Sequence, residues 1–399
     1  MQKQPSGMRP HIILLGRRNV GKSSLVNALT EQPLALVSEV PGTTTDPVRK
    51  GYELLPFGPV VFVDTGGIDD VGEIGRLRVE RTKKEQAGAD FALLIAEAGQ
   101  WTDHEQQLYE QLKDGKLDFM VVVNKIDLAP DWQPPVDAWQ VSAKTGEGVK
   151  ELRVAMAERL RQITQQTFSV IGDLVQGGDL IVLVVPIDLE APRGRLILPQ
   201  VITIRDILDN DAAALVVKER ELYATMQSLG RAPSLVVCDS QVVLKVAADV
   251  PREVPLTTFS ILFARLKGDL PTFVRGAKAI ETLTDGDRVL IAEACSHHPL
   301  ADDIGRVKIP RWIRQYTGRD LTFTNAQGRN YPEDLREYKL VVHCGGCMIT
   351  PRTMEARMEE ALDDGVPITN YGVAISFVHG VLSRVLEPFG GLDALLGEG

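Results

Sequence analysis

The sequence has few cysteines, no long apolar run and no excess of positive charge, and each of these absences excludes a class of protein. Four cysteines in 399 residues are too few for a disulfide-built extracellular domain and favour a reducing compartment. No apolar run approaches membrane-spanning length, and the polar start lacks a signal-peptide core. The net charge of −10 argues against broad binding to nucleic acid or anionic membranes. We therefore expect a cytoplasmic protein without nucleic-acid or membrane partners.

The chain does contain enough apolar material for several hydrophobic cores. Hydrophobic residues make up 44% of the sequence, which is sufficient for two or three cores at this length. Strand-like apolar runs alternate with helical patterns throughout, and this alternation is typical of α/β folds with parallel sheets. A linker-like stretch around Gln162 to Gly178 separates the first part from the rest. We predict three α/β domains, at residues 1–168, 169–256 and 257–399.

A phosphate-binding loop opens the first of these domains. The buried strand predicted at Ile12 to Leu15 is followed at once by the loop Gly16 to Ser23 and then by an apolar-periodic helix, which is the context that a P-loop requires. Glycines let backbone N–H groups surround phosphate oxygens, while Lys22 is expected to reach the β- and γ-phosphates and the Ser23 hydroxyl to bind Mg²⁺. The residues predicted to contact the nucleotide here are Arg18, Asn19, Val20, Gly21, Lys22, Ser23 and Ser24.

Three further motifs follow in the order expected of a GTPase, each directly after a predicted strand. They are Asp64 to Gly67, Asn124 to Asp127, and Ser142 to Lys144. The carboxyl ends of parallel strands meet at one edge of a doubly wound sheet, where such folds bind ligands. Because the Asp127 carboxylate can accept two hydrogen bonds from guanine that adenine cannot offer, the predicted nucleotide is GTP.

These motifs divide into a base-binding set and a catalytic set. The predicted base-binding residues are Asn124, Lys125, Asp127, Ser142, Ala143 and Lys144. Asp64 is expected to support Mg²⁺ through water, and the Gly67 N–H to sense the γ-phosphate. The predicted catalytic set is Lys22, Thr44, Asp64 and Gly67. Of these, Thr44 is included because of a resemblance in the loop that follows the P-loop.

That loop, Pro41 to Asp46, is predicted to close over the γ-phosphate and Mg²⁺. It resembles the switch of bacterial GTPases of the Era and tRNA-modification type, and the match implies that Thr44 contacts Mg²⁺. In the potassium-activated members an asparagine of the P-loop helps to bind the cation, and Asn19 occupies that place, so K⁺ activation is expected. Ile68 stands where Ras-like enzymes carry a water-orienting glutamine, which predicts slow hydrolysis.

Two short cysteine-containing segments near the C-terminal end indicate a soft-metal site. Two glycines separate Cys344 from Cys347, which lets both thiols face one centre, and Cys295 can supply a third thiolate. His297 and His343 stand close enough in sequence to give a fourth ligand or outer hydrogen bonds. This donor set fits an iron–sulfur cluster, a structural zinc ion or a dithiol, and spacing alone does not separate the three.

The two halves together resemble the HydF family of FeFe-hydrogenase maturation GTPases. That family joins a P-loop GTPase to the patterns Cys-x-His and His-Cys-x-x-Cys, matched here by Cys295 with His297 and by His343 with Cys344 and Cys347. The likeness extends over essentially the whole chain. It implies that the three cysteines bind a 4Fe-4S cluster whose fourth position is exchangeable. The fourth ligand is then His297, His343, another residue or an exogenous group.

The same resemblance implies a function and partners. It predicts a scaffold that carries a diiron subcluster precursor, received through two radical-SAM maturases, and delivers it to the apoprotein of FeFe-hydrogenase. The second domain would then be a dimerisation domain, and the third an iron–sulfur cluster domain. The expected cofactors are GTP, Mg²⁺, K⁺, the 4Fe-4S cluster and the diiron precursor.

The pattern of the second domain independently favours self-association. Its apolar runs lie at residues 180–185, 214–217 and 235–237, separated by helical patterns, and they predict a small parallel sheet. A second copy could cover an exposed edge of this sheet, which predicts a homodimer. Cys238 ends the third run without a histidine or cysteine nearby, so it is predicted to be buried and inert.

In the third domain the metal-site segments are expected to lie at strand ends. One long helix is predicted from about Thr257 to Leu283, followed by a strand leading into Cys295 and another leading into His343. Parallel strands would bring both segments to one rim of the sheet.

Two other functions remain compatible with the residues alone. One is a ribosome- or tRNA-associated GTPase with a structural zinc site, which predicts bound zinc and RNA affinity. The other is a thiol-regulated GTPase, in which a reversible disulfide between Cys344 and Cys347 changes turnover.

Overall fold

The structure, a computed structural model, divides into two compact units, Met1–Thr167 and Phe168–Gly399. It describes residues 7, 9–31, 48–65, 85–165, 169–186, 196–294, 303–328, 331–332 and 334–397. Several predicted site residues, among them Thr44, Gly67, Cys295 and His297, lie outside the described residues.

The first unit is a six-stranded, mostly parallel sheet with helices following its strands. The strands are β1 (His11–Leu15), β2 (Val48–Leu54), β3 (Gly58–Asp64), β4 (Phe91–Glu97), β5 (Phe119–Asn124) and β6 (Trp139–Gln140). Their order is β2-β3-β1-β4-β5-β6, and β2 alone pairs in the antiparallel sense among these strands. The described helices of eight residues or more are α1 (Lys22–Thr30), α2 (Asp103–Asp114) and α3 (Val149–Gln165). The predicted doubly wound P-loop fold is therefore confirmed.

Strand β1 shows why the inner strands of this sheet contain runs of apolar residues. All five of its residues are buried. Ile12 and Leu14 pack into one hydrophobic cluster, while Ile13 and Leu15 pack into a second cluster. Because a parallel strand is covered on both faces, apolar side chains follow one another from Ile12 to Leu15, and the polar loop begins where the strand ends.

The second unit contains two four-stranded parallel sheets. The first of them comprises β7 (Leu180–Val184), β8 (Ala213–Val217), β9 (Leu235–Cys238) and β10 (Leu256–Thr258) in the order β10-β9-β7-β8. Its helices are α4 (Leu198–Asp209), α5 (Leu222–Ser228) and α6 (Val243–Asp249). All pairs in this sheet are parallel, as the alternating pattern predicts. Strand β8 lies at an edge of the sheet, and Val216 on it is exposed.

The second sheet carries the metal-site segments. Its strands are β11 (Arg288–Glu293), β12 (Thr322–Gln327), β13 (Leu340–His343) and β14 (Ile368–Asn370), in the order β12-β11-β13-β14. The helices are α7 (Phe259–Lys267), α8 (Leu270–Lys278), α9 (Ile309–Thr317), α10 (Pro351–Asp363), α11 (Tyr371–Val378), α12 (Leu382–Leu386) and α13 (Gly391–Leu396). Strands β11 and β13 are parallel neighbours, which confirms the two predicted strands before Cys295 and at His343.

The prediction of one long helix from Thr257 to Leu283 is wrong. Thr257 lies in β10, and the helical stretch is broken into α7 and α8. The break has a local cause, because α7 ends before Gly268 and the Asp269 carboxylate then accepts the N–H of Thr272, which caps a new helix. Pro271 in the first turn of α8 suits a helix start and would disrupt a helix interior.

The division of the second unit at residues 256/257 stays a prediction. A boundary there would pass through β10, which pairs with β9 along all three of its residues. One hydrophobic cluster contains residues of both sheets, including Val236 of β9 and Val341 of β13. The two sheets of this unit therefore share part of their core. Among the described residues, no helix has the length and apolar character needed to cross a membrane.

Replacing Gly276 by alanine is expected to destabilise the second unit. An added Cβ in α8 would stand 1.9 Å from the Ile368 carbonyl oxygen of β14, a backbone atom that cannot rotate aside. We expect a loss of about 1–3 kcal/mol or more, measured by thermal unfolding of the full chain. At Gly230 an added Cβ would meet nothing within 4 Å, so Gly230→Ala is the matched control. Equal unfolding midpoints for the two variants would contradict this packing.

Candidate functional site

The nucleotide site begins in the P-loop between β1 and α1. Gly16 and Gly21 have φ angles of 137° and 93°, which side-chain-bearing residues rarely adopt. Added Cβ atoms would lie 2.2 Å from the Ile95 carbonyl oxygen and 2.3 Å from Asn124 Nδ2, respectively. Both positions therefore require glycine, because the loop passes directly against the ends of neighbouring strands.

Lys22 lies within the ring of backbone that the P-loop forms. Its Nζ donates to the carbonyl oxygens of Gly16 and Arg17, both at 2.9 Å, and the residue is buried. The neighbouring Ser23 Oγ is 3.4 Å from Asp64 Oδ2 at the end of β3. The structure thus brings together two of the three groups predicted to hold Mg²⁺, Ser23 directly and Asp64 through water, whereas the third, Thr44, lies outside the described residues.

Asn124 joins the P-loop to the base-binding loops. Its Nδ2 donates to the Val20 carbonyl oxygen at 2.9 Å, and its Oδ1 accepts the Ala143 N–H at 3.0 Å. Since Asn124 is buried, this amide holds the two loops in a fixed relation. The role predicted for it, framing the base pocket, stays a prediction.

Asp127 follows β5 and is held by a serine that follows β6. Its Oδ1 accepts a hydrogen bond from Ser142 Oγ at 2.7 Å, and Ser142 Oγ also accepts the Thr145 N–H at 3.2 Å. Lys125, with a positive φ of 65°, pairs through Nζ with Glu97 Oε2 at 2.9 Å. The Asp127 carboxylate is exposed, so it can receive the guanine edge.

The other residues predicted to contact the nucleotide are either exposed or outside the described residues. Arg18, Asn19, Ser24 and Lys144 are exposed. Thr44 and Gly67, together with the loop Pro41 to Asp46 and Ile68, lie outside the described residues. The predicted roles of these switch residues therefore stay predictions.

Sequence reasoning missed a buried ion pair that supports the P-loop. Arg17 Nε lies 2.5 Å from Glu105 Oε1 in α2, and Arg17 Nη2 also reaches the backbone and side-chain oxygens of Gln100. The second Glu105 oxygen accepts the N–H and hydroxyl of Thr102, which begins the helix. The pattern Thr-x-x-Glu could have indicated the helix cap, but nothing local indicates a partner 88 residues away.

The Glu105 carboxylate is fully buried, and its hydrogen bonds decide its charge. Burial by itself would raise its pKa, but the hydrogen bonds from Thr102 and Arg17, with the charge of Arg17, hold the pKa below its usual range. The pair therefore stays ionised at neutral pH. It fixes the Arg17 backbone, whose carbonyl oxygen receives the Lys22 ammonium.

Glu105→Gln is expected to weaken the first unit at neutral pH by about 2 kcal/mol, because a charged hydrogen bond is lost in a buried place. The folded-state pKa is depressed, so this stability is present above the unfolded pKa of about 4.3 and disappears as the pH falls below it. Thermal unfolding at several pH values measures the difference. Asp103→Asn, an exposed acid in the same helix turn, is the control. A difference that does not shrink in acid would contradict the charge assignment.

The candidate metal site lies at the carboxyl ends of β11 and β13. Cys344 follows β13, and its Sγ accepts the backbone N–H of Ala294 at 3.1 Å. The Cys344 N–H in turn donates to the Ala292 carbonyl oxygen at 2.8 Å. Ala294 immediately precedes Cys295. The backbone that leads into Cys295, one predicted ligand, therefore passes beside the sulfur of Cys344, another predicted ligand. The predicted convergence of the two segments at one rim is confirmed as far as Ala294.

The turn between Cys344 and Cys347 depends on Gly346. This glycine has a φ of 63°, and an added Cβ would lie 2.6 Å from the Met354 side chain. Both cysteines are partly exposed thiols, not joined in a disulfide. Burial raises the pKa of the Cys344 thiol, whereas the N–H groups of Ala294 and Gly346 act in the opposite direction.

Both ring nitrogens of His343 are already in hydrogen bonds. Nδ1 lies 2.7 Å from the Cys344 carbonyl oxygen, and Nε2 lies 2.8 Å from Arg357 Nη1. Because a guanidinium has no acceptor, Nε2 accepts and Nδ1 carries the proton. Burial, with the charge of Arg357, lowers the pKa of His343 to about 3. The ligand role predicted for His343 stays a prediction, and it would require the ring to release Arg357 or Cys344.

Two buried carboxylates near this rim also have partners. Glu293 Oε2 accepts from Gln327 Nε2 at 2.8 Å and lies 3.9 Å from Arg306 Nη2. Asp303 Oδ1 accepts the Arg306 N–H at 2.8 Å. Within the described part of the chain, no group of three or more His, Cys, Asp or Glu side chains is arranged to hold a metal. That part contains Cys344 and Cys347 but not Cys295 or His297.

Cys238 behaves as predicted. It is fully buried at the end of β9, within the hydrophobic cluster shared by the two sheets. Burial raises the pKa of its thiol well above the ordinary value. It is therefore an inert core residue.

Three family models match successive parts of the sequence. Residues 11–125 match a family described as 50S ribosome-binding GTPase. Residues 170–268 match the hydrogen maturase F dimerization domain, and residues 271–388 match the hydrogen maturase F tetramerization domain. The first match lies in the first unit, and the other two lie in the second.

Curated relatives resemble the GTPase part. The tRNA modification GTPase MnmE of Synechocystis sp. is 36% identical over 159 residues, which cover 38% of this chain and 34% of that protein. MnmE of Ralstonia nicotianae is 37% identical over 164 residues, covering 37% of this chain and 34% of that protein. The chain thus spans about a third of the length of these relatives.

Solved structures resemble the chain only weakly. A crystal structure of Aquifex aeolicus Era bound to GDP.AlF4- is 18% identical, covers 56% of this chain and 98% of that one, and has a TM-score of 0.32. The G domain of the T. maritima iron transporter FeoB is 22% identical, covers 38% of this chain and 99% of that one, and has a TM-score of 0.30. Likeness at this level carries no functional information.

Proposed function

The chain belongs to the hydrogen maturase F family, whose two domain models together span more than half of it, and on this premise we propose a GTP-hydrolysing scaffold for metallocluster assembly. In this proposal Cys295, Cys344 and Cys347 hold a 4Fe-4S cluster. The scaffold carries a diiron subcluster precursor, received through two radical-SAM maturases, and delivers it to apo FeFe-hydrogenase. Both matched family domains are named for self-association, which supports a homo-oligomer, and we propose a dimer as its basic unit.

The contact between Ala294 N–H and Cys344 Sγ carries the cluster part of the proposal. It brings the residue before Cys295 to the sulfur of Cys344, while Gly346 turns the chain toward Cys347. Backbone N–H groups directed at thiolate sulfur are typical surroundings of iron–sulfur clusters. When bound, such a cluster would supply one iron whose fourth ligand is exchangeable. The donor set also fits zinc, so the identity of the metal has to be measured.

The nucleotide site supports hydrolysis of GTP to GDP and phosphate. Lys22 and the P-loop backbone would hold the β- and γ-phosphates, and Ser23 and Asp64, whose Oγ and Oδ2 lie 3.4 Å apart, would hold Mg²⁺. Water attacks the γ-phosphorus as the bond to the β,γ-bridging oxygen breaks. We propose that this reaction is slow and activated by K⁺ near the exposed Asn19. Equal turnover in sodium and potassium buffers would refute the K⁺ site.

Hydrolysis contributes neither an electron nor an atom to the diiron centre. We therefore propose that the nucleotide state gates the binding and release of partners. Affinities for the apo-hydrogenase and for the maturases should differ between the GDP form and the form with a non-hydrolysable GTP analogue. If every affinity is the same in both forms, gating is wrong.

The function is tested by anaerobic reconstitution of the full chain with iron and sulfide. Metal analysis should find iron, EPR after reduction should give a 4Fe-4S signal, and the protein loaded by the maturases should activate apo-hydrogenase. Stoichiometric zinc without an iron signal would instead favour the RNA-associated alternative. That alternative is supported by the MnmE relatives, although their likeness covers only 38% of the chain at most.

A further inference from the structure

Arg357 of α10 is held from three directions at the rim that carries the candidate metal site. Its Nη1 donates to His343 Nε2 at 2.8 Å, and its Nη2 donates to the Gly328 carbonyl oxygen at 2.7 Å. The guanidinium also stacks on Tyr331, 4.8 Å from the ring centre. A planar group fixed in this way cannot turn freely toward solvent, so its charge has a defined place.

His343 connects the Arg357 guanidinium to the backbone of Cys344. The ring accepts from Arg357 on one side and donates from Nδ1 to the Cys344 carbonyl oxygen on the other, at 2.7 Å. Since Nε2 accepts from a guanidinium and Nδ1 donates to a carbonyl oxygen, the ring is a neutral imidazole that fixes position without adding charge. Only one imidazole ring therefore separates the Arg357 guanidinium from the Cys344 backbone.

A cluster bound by thiolates carries negative charge, and reduction adds more. A fixed cation in a partly buried site stabilises the more negative state and raises the reduction potential. Residues outside the ligand set commonly change metal affinity by about 10–100-fold. A guanidinium held one imidazole ring away from the Cys344 backbone therefore acts on both the potential and the metal affinity.

We propose that Arg357 is a positioning and charge-compensating residue of the iron–sulfur site, and that His343 holds it in place instead of binding metal. This inference rests on the proposed function, because it requires an iron–sulfur cluster at Cys344. It assigns distinct tasks to two residues of one network. His343 sets the position of the guanidinium, and Arg357 sets the charge that the cluster experiences.

The test compares reconstituted native chain with Arg357→Gln and Arg357→Lys. Arg357→Gln keeps a hydrogen-bond donor but removes the charge, so its midpoint potential should shift to more negative values and its iron affinity should fall roughly tenfold. Arg357→Lys keeps the charge, so its midpoint should lie between the other two. Arg352→Gln on the same helix is the control, because Arg352 pairs with Glu355 at 3.7 Å and should leave the midpoint unchanged.

Two results would overturn the inference. One is a midpoint for Arg357→Gln equal to that of the native chain. The other is a strong imidazole-nitrogen coupling in pulsed EPR of the native cluster that disappears in His343→Gln, because a ligated ring cannot hold Arg357. Circular dichroism and thermal unfolding of the metal-free variants show whether they fold.

If Arg357→Gln does not fold, His343→Gln supplies the same comparison. Loosening Arg357 should then move the midpoint in the same negative direction, and an unchanged midpoint would refute the role. The two levels of the proposal fail differently. A native chain that takes up no iron removes the proposed function and this inference together, whereas a native cluster with unaltered variants removes only this inference.

Discussion

Asp127→Asn should lower the affinity of the chain for GTP by about two to four orders of magnitude, the largest effect expected in the first unit. The carboxylate can accept from both the N1–H and the 2-amino group of guanine, and hydrogen bonds to a charged group contribute about 1.5–3 kcal/mol each. An asparagine amide accepts only one of them and turns a donor toward the other. Titration of the full chain with a fluorescent GTP analogue measures the loss.

Two comparisons make this prediction specific. Asp131→Asn removes an exposed carboxylate from the same stretch of chain and should leave GTP affinity unchanged. Xanthosine triphosphate carries an oxygen in place of the 2-amino group, so the amide introduced by Asp127→Asn can donate to it, and this variant should bind xanthosine triphosphate better than GTP. Unaltered GTP affinity would mean that Asp127, despite its bond to Ser142, does not contact the base.

The nucleotide site was largely predictable because its signals are local. Each motif combines a buried strand with a polar turn at its end, and parallel strands necessarily bring those turns to one edge. The close approach of Gly21 to Asn124 follows from that arrangement. The pair between Arg17 and Glu105 was not predictable, because 88 residues separate the partners and the capping pattern at Glu105 indicates only the start of a helix.

The second unit was predicted less completely, for reasons that lie in its packing. Its strands were found from apolar runs, but the break between α7 and α8 was missed. The prediction overlooked local signals of a new helix, namely Gly268 after the end of α7, Asp269 as the cap and Pro271 in the first turn, and the bond from Thr272 N–H to Asp269 shows the cap formed. The core shared by the two sheets involves residues far apart in sequence, which no local window detects.

At the candidate metal site, too, some features could be predicted from the sequence and others could not. The strands leading toward Cys295 and His343 could be read from the sequence, and so could the turn between the cysteines. The partner of His343 could not, because Arg357 belongs to the next helix and an arginine in a helix ordinarily indicates a solvated face. Spacing made His343 a candidate ligand, and only the structure gives it two other partners.

Cys344→Ala should abolish retention of the cluster. A 4Fe-4S cluster contains about four iron atoms per chain, and loss of one of three protein thiolates should reduce retained iron to about none after gel filtration. The expected reason is direct, because Cys344 Sγ accepts the N–H of Ala294, the residue before the predicted ligand Cys295. Iron analysis and EPR on anaerobically reconstituted protein measure the result. Cys347→Ala and Cys295→Ala should behave in the same way.

Cys238→Ala is the control, because it also removes one cysteine sulfur but far from the predicted ligands in sequence. Cys238 is fully buried in β9, so its replacement should cost about 1–2 kcal/mol of stability through a small cavity and leave the iron content unchanged. The contrast separates loss of a ligand from general loss of fold, because both variants delete one thiol. Full iron retention by Cys344→Ala would contradict the assigned ligand set. Zinc that is bound by the native chain and lost from Cys344→Ala would keep the site but replace iron by a structural metal.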